Sequence, residues 1–113
     1  MKAVFIELPP FERFRAANLT DAEYRAFQNE LMDKPDKGDV IQGTGGLRKM
    51  RLAAQGRGKR GGFRVIYYWQ DSLNRCWLFT GYGKNRQDDL SNEQRRELAS
   101  VLERIKHLME QQV

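Results

Sequence analysis

The chain has 113 residues, 20 Lys and Arg against 15 Asp and Glu, and a net charge of +5, a length that predicts a single domain over residues 1–113. Its one cysteine excludes an internal disulfide and a cysteine-based zinc site, and its one histidine excludes the ordinary Ser-His, Cys-His and two-His metal chemistries. No apolar run approaches the ~20 residues that span a bilayer and the first ten residues are too short for a secretion signal, so a soluble cytoplasmic protein without a membrane partner is expected.

Residues 2–8 are β-prone through Val4, Phe5 and Ile6, and Pro9-Pro10 stops them. Phe11, Phe14 and Ala17 then recur at helical spacing, with Pro10 suited to a first helical position. Thr20 and Glu23 have capping-box spacing, and Tyr24, Phe27 and Leu31 form an apolar stripe behind them. Lys34-Pro35 ends that helix, because the residue before proline is pushed out of the α region. Residues 38–46 are a glycine-rich connection with a short strand at Val40-Ile41, and residues 47–54 read as a strand. Residues 56–62, with four glycines and three cations, exclude a regular element. Residues 63–69 are aromatic and β-branched, the strongest strand signal in the chain. A turn at 71–74 leads to a second strong strand at 76–82, and residues 83–90 are polar and irregular. Ser91 and Gln94 repeat the capping-box pattern. Leu98, Val101, Leu102, Ile105, Leu108 and Met109 then make one apolar stripe on a long helix.

This order predicts an α+β fold: a small twisted antiparallel sheet with the N-terminal helices and the C-terminal helix packed on one face. The other face is then open. Lys49 and Arg51, two residues apart, share a face, as do Arg64, Ile66 and Tyr68. Tyr67 and Tyr68 point to opposite faces, so one of them is expected to be exposed. A three- or five-residue loop sets Tyr82 opposite Arg64; a four-residue loop sets Gly81 there. The sequence leaves that open.

The charge is local. Residues 40–70 contain seven cations and no acid, which is +7, and the other 82 residues sum to −2. A one-sided basic block suits a polyanion, although a solvated loop gives the same pattern. Gly56-Arg57-Gly58-Lys59-Arg60-Gly61 fits a dinucleotide-binding glycine pattern, but a strand follows it where that motif needs a helix. Arg57, Lys59 and Arg60 are better read, with Arg48, as phosphate contacts without sequence information. Arg64 interrupts an apolar strand, which points to a surface-facing clamp for a phosphate or another oxyanion. Tyr82 and Lys84 stand where the chain leaves the last strand, either projecting past the sheet edge or merely packed and solvated. His107 and Cys76 read as boundary and core residues, and Trp69 and Trp77 as core or cross-strand partners.

The segment Gly38-Asp39-Val40-Ile41-Gln42-Gly43-Thr44-Gly45-Gly46-Leu47-Arg48-Lys49-Met50-Arg51, the run Gly58-Lys59-Arg60-Gly61-Gly62-Phe63-Arg64-Val65-Ile66-Tyr67-Tyr68 and the tetrapeptide Tyr82-Gly83-Lys84-Asn85 resemble the HigB branch of the RelE-type bacterial toxins. The resemblance covers nearly the whole chain. It implies a RelE-like fold and a type II toxin–antitoxin module. It also implies an mRNA interferase, an endoribonuclease that cuts messages on the ribosome and so inhibits translation. Such toxins use no metal or other cofactor: the messenger's own 2′-hydroxyl attacks the adjacent phosphate and leaves a 2′,3′-cyclic end. That chemistry needs a base, cations for the phosphorane charge and an acid for the 5′-oxygen.

By position, Arg64 matches the family's strand arginine, which stabilises the transition state. Lys49 and Arg51 match its paired basic positions, often two lysines; Arg51 is a poor base because guanidinium stays protonated. Lys84 matches the lysine after the last-strand glycine, whereas Asn85 departs from the common arginine. A tyrosine that RelE carries near the start of the last helix falls on Ser91 or a neighbour, which leaves the acid and base roles to Tyr82 or Lys84. The partners implied are the ribosome, mRNA and a cognate HigA-like, DNA-binding antitoxin, with operator DNA met only through the toxin–antitoxin complex. Readings of a different class are a non-catalytic basic nucleic-acid-binding module, or a corepressor acting only with its antitoxin. Translation-dependent cleavage discriminates between them.

Overall fold

The computed structural model describes residues 2–52, 62–83, 87 and 89–111. The described elements are β1 (Val4–Glu7), α1 (Pro9–Asn18), α2 (Asp21–Asp33), β2 (Asp39–Val40), β3 (Arg48–Leu52), β4 (Phe63–Gln70), a 3-10 turn (Asp71–Leu73), β5 (Arg75–Gly83) and α3 (Asn92–Gln111). Local chemistry explains the helix ends. The Thr20 hydroxyl accepts from the Glu23 amide while the Glu23 carboxylate accepts from the Thr20 amide, closing the predicted capping box. Ser91 and Gln94 close the same reciprocal pair ahead of α3. Pro9 and Pro10 occupy the first turn of α1, where a missing N–H costs nothing.

The α+β class and the C-terminal helix are as expected; two features of the sheet differ. Its strand order is β1-β5-β4-β3-β2, and it is mixed, because β1 runs parallel to β5 with Val4 opposite Arg75. A strand that leads straight into a helix cannot turn back as a hairpin, so β1 joins the sheet through a crossover. Helices also cover both faces. Phe63, Val65, Tyr67 and Trp69 of β4 pack with Phe11 and Phe14 of α1 and Tyr24, Phe27 and Leu31 of α2. Ile66 and Tyr68, on the other side of β4, pack with Phe79, Leu90 and the α3 stripe of Leu98, Val101, Leu102 and Ile105. A central strand that is apolar on both sides must lie between two layers.

Neither tyrosine of β4 is therefore the exposed one. Tyr67 is fully buried; its hydroxyl accepts from the Gly38 amide and donates to the Pro35 carbonyl, both at 2.9 Å, fixing the end of the α2–β2 connection. A Cβ on Gly38 would lie 2.8 Å from the Tyr67 ring, so only glycine allows this approach. Tyr68 is half-buried under α3, with the Lys106 ammonium 5.2 Å from its ring centroid.

The β4–β5 hairpin decides the register that positions the site. Gln70 pairs with Arg75, so four residues form the loop, and a regular ladder would set Gly81 opposite Arg64. The ladder is not regular. Tyr67 pairs with Leu78 but Ile66 pairs with Thr80, which leaves Phe79 as an extra residue. This β-bulge shifts the register by one and brings Tyr82 opposite Arg64. Gly81 then faces α1, where a Cβ would come 2.4 Å from the Phe14 ring.

Candidate functional site

Arg51 on β3, Arg64 on β4 and Tyr82 on β5 stand in one row across three strands. Opposed residues of an antiparallel pair share a face, so the three side chains leave the sheet on the same side. Lys49, Ile66 and Thr80 form the adjacent row. This is the α3 side of the sheet: the helix stripe covers Ile66, and the start of α3 lies beside the cations. Arg51 and Arg64 directly opposite each other are a like-charge pair, which a sheet selected for stability alone avoids.

Asp89, just ahead of α3, ties this corner together. Its Oδ1 accepts from Lys49 Nζ at 3.0 Å and from the Leu90 amide at 2.8 Å, and its Oδ2 accepts from Arg95 Nη2 at 3.2 Å. The Lys49 hydrogen bond foremost holds the Asp89 carboxyl below its usual range. Asp89 and Arg95 were not evident from the sequence. Forty positions separate Lys49 from Asp89, and only the cap at Ser91 marks where the helix begins.

The Tyr82 ring packs with the cluster of Phe79, Leu90 and the α3 stripe, and its hydroxyl is enclosed without a hydrogen-bond partner among the described residues. Burial pushes the phenol up from its ordinary value of 10.0; Asp89 pushes the same way, while Arg64 and Arg95 oppose it. The group is therefore protonated at neutral pH. Tyr82 also borders an open cleft of about 880 Å³ with Arg13 and Phe14 of α1, Gly83 and Gln87.

The remaining sequence candidates lie elsewhere. Arg48 projects to the opposite face from Lys49 and donates to the carbonyls of Asp36 at 3.2 Å and Gly38 at 2.7 Å. Arg57, Lys59, Arg60 and Lys84 lie outside the described residues. His107 is exposed on α3. Cys76 is buried, and burial pushes its thiol well up, which suits a core residue. Among the described residues no helix is long and apolar enough to cross a membrane.

Residues 4–113 match the family described as the RelE toxin of the RelE/RelB toxin–antitoxin system. The chain belongs to the RelE toxin family. A free-state structure of the E. coli toxin RelE, carrying two arginine-to-alanine substitutions, superposes with a TM-score of 0.53 at 12% identity, over 78% of this chain and 90% of that one. That likeness is one of fold. An archaeal RelE–RelB complex from Pyrococcus horikoshii gives a TM-score of 0.49 at 24% identity, over 76% of this chain and 99% of that one. In this RelE-family chain the bulge brings Tyr82 into line with the Arg51–Arg64 pair, a feature that strand patterning alone does not reveal.

Proposed function

We propose that this RelE-family chain is a toxin of the HigB branch, a ribosome-dependent endoribonuclease that cuts messenger RNA and is held inactive by a HigA-like antitoxin. The observation that carries the reading is the row of Arg51, Arg64 and Tyr82, with Lys49 one row away. Cations and a neutral phenol gathered on one face of a sheet suit in-line cleavage of RNA. The 2′-oxygen forms its bond to phosphorus as the bond to the 5′-oxygen breaks. Arg64 and Arg51 stabilise the charge that develops on the phosphorane oxygens, and Lys49 adds positive charge beside them. Tyr82, protonated at neutral pH, donates its proton to the departing 5′-oxygen once RNA displaces the groups that enclose its hydroxyl in the free chain. Lys84 is the family position left to take the proton from the 2′-hydroxyl. The products are a 2′,3′-cyclic phosphate and a 5′-hydroxyl, and no metal takes part.

The cations Arg57, Lys59 and Arg60 of the glycine-rich segment are proposed to dock on ribosomal RNA phosphates, a contact that weakens with salt. The antitoxin would bring the pair to operator DNA. The test adds the purified chain to ribosomes translating a defined message. Fragments ending in cyclic phosphate, absent when the same message is free of ribosomes, support the reading; an intact message overturns it in favour of binding without catalysis.

A further inference from the structure

Lys49 and Arg95 come from a strand and a helix and converge on one carboxylate, that of Asp89. With the Leu90 amide, two charge-assisted donors and one backbone N–H surround a small anion. The same donor set recognises phosphate oxygens. The arrangement is open to a polyanion, since the Asp89 side chain is 45% exposed. Exposed ion pairs contribute little to stability, so one anion exchanges readily for another. Two enclosed polar atoms of this corner, Arg95 Nε and Tyr82 Oη, have no hydrogen-bond partner among the described residues. Enclosed polar atoms ordinarily find one, so the corner has unused hydrogen-bonding capacity. Lys49 also lies about 7 Å along β3 from Arg51, far enough to serve a neighbouring phosphate on the same strand.

We propose that the place of the Asp89 carboxylate is a second phosphate position on this face. Arg95 and Lys49 are its ligands, and Asp89 fills it until RNA binds. The inference rests on the reading of this face as an RNA site. It assigns Arg95 of α3 a binding role and makes Asp89 an internal competitor of the substrate, not a support for the cations.

The probe is a fluorescein-labelled RNA 12-mer, 2′-O-methylated throughout so that it cannot be cut, bound to the full chain and followed by anisotropy across a salt series. Asp89→Asn keeps the shape and removes the charge; it is expected to tighten binding about threefold to tenfold, the scale of one or two exposed ion pairs. Arg95→Gln is expected to weaken binding and to lower the slope of log affinity against log salt by about 0.7, the loss of one single-strand phosphate contact. In the Arg95→Gln background the gain from Asp89→Asn shrinks, because the two residues share one position. Asp33→Asn, at the end of α2, removes the same charge elsewhere and is expected to leave affinity unchanged. Binding by a folded Asp89→Asn variant that is unchanged or weaker than wild type overturns the proposal. If that variant does not fold, an unaltered salt slope in Arg95→Gln overturns it instead. Lys49→Ala and Arg64→Ala separate the two levels: no effect from either refutes the RNA face itself, whereas weakening by both with no effect of Arg95→Gln refutes only the second phosphate position.

Discussion

Replacing Tyr82 with phenylalanine separates catalysis from stability in opposite directions. The hydroxyl is enclosed and makes no hydrogen bond among the described residues, while the ring packs with Phe79, Leu90 and the α3 stripe. Removing the oxygen leaves the packing and relieves an unsatisfied polar group, whose burial costs about 1–3 kcal/mol. Tyr82→Phe is therefore expected to be neutral or stabilising, by up to about 2 kcal/mol in urea unfolding. Cleavage should fall about 10²- to 10⁴-fold, or roughly 2.7–5.4 kcal/mol of barrier, the usual contribution of a positioned proton donor. The assay is primer extension on a message translated in a reconstituted system, run beside the urea melts. The phenol is pushed above its ordinary 10.0, so the Tyr82-dependent rate should not decline between about pH 7 and 9. Destabilisation beyond about 1 kcal/mol would show that the hydroxyl makes a contact. A wild-type cleavage rate would remove Tyr82 from the proton transfer.

Tyr67→Phe deletes a buried hydroxyl that serves the Gly38 amide and the Pro35 carbonyl, and should cost about 1–3 kcal/mol in urea unfolding. Gly81→Ala drives a Cβ into the Phe14 ring, which packs edge-on against Phe63; a loss of about 1–3 kcal/mol is expected, partly recovered when Phe14→Leu is added. Additive losses in that pair would refute the clash. Tyr24, Tyr67, Tyr68 and Tyr82 are all raised mainly by burial, and so is Cys76. Their neutral forms are favoured in the folded state, so the stability they contribute is complete below the unfolded values of 9.0 for the thiol and 10.0 for the phenols, and is lost as pH rises beyond them. The melting temperature should hold to about pH 9 and fall above it; a flat profile to pH 11 would contradict the assigned burial.

Elements governed by local chemistry were legible in the sequence. The two capping boxes, the proline entry to α1, the stop at Lys34-Pro35 and β4 all stand where pattern places them. Features that depend on partners distant in the chain were not. The unbroken apolar run of β4 fits a strand covered on both sides, yet periodicity cannot say which helix covers which side. The placement of α3 on the face of Arg64 had to come from the fold, and with it the meeting of Lys49, Asp89 and Arg95. The parallel pairing of β1 follows from a crossover, not from any residue of the strand. Tyr82's place in the row turned on one bulged residue, Phe79, which looks like any other aromatic in a strand. Arg48 shows the opposite limit: its charge placed it with the other cations, but the strand's alternation sends it to the opposite side from Lys49, where it anchors a loop.

The central claim is that Arg64, held in a row with Arg51 and Tyr82, stabilises the cleavage of messenger RNA. Mapping the 5′ ends of cellular messages after brief induction, for wild type and for Arg64→Ala at equal soluble levels, tests it most directly. New 5′-hydroxyl ends within translated reading frames are predicted for wild type, and their loss for a folded Arg64→Ala variant. The same set of ends in both, or none in either while growth still stops, would contradict the account.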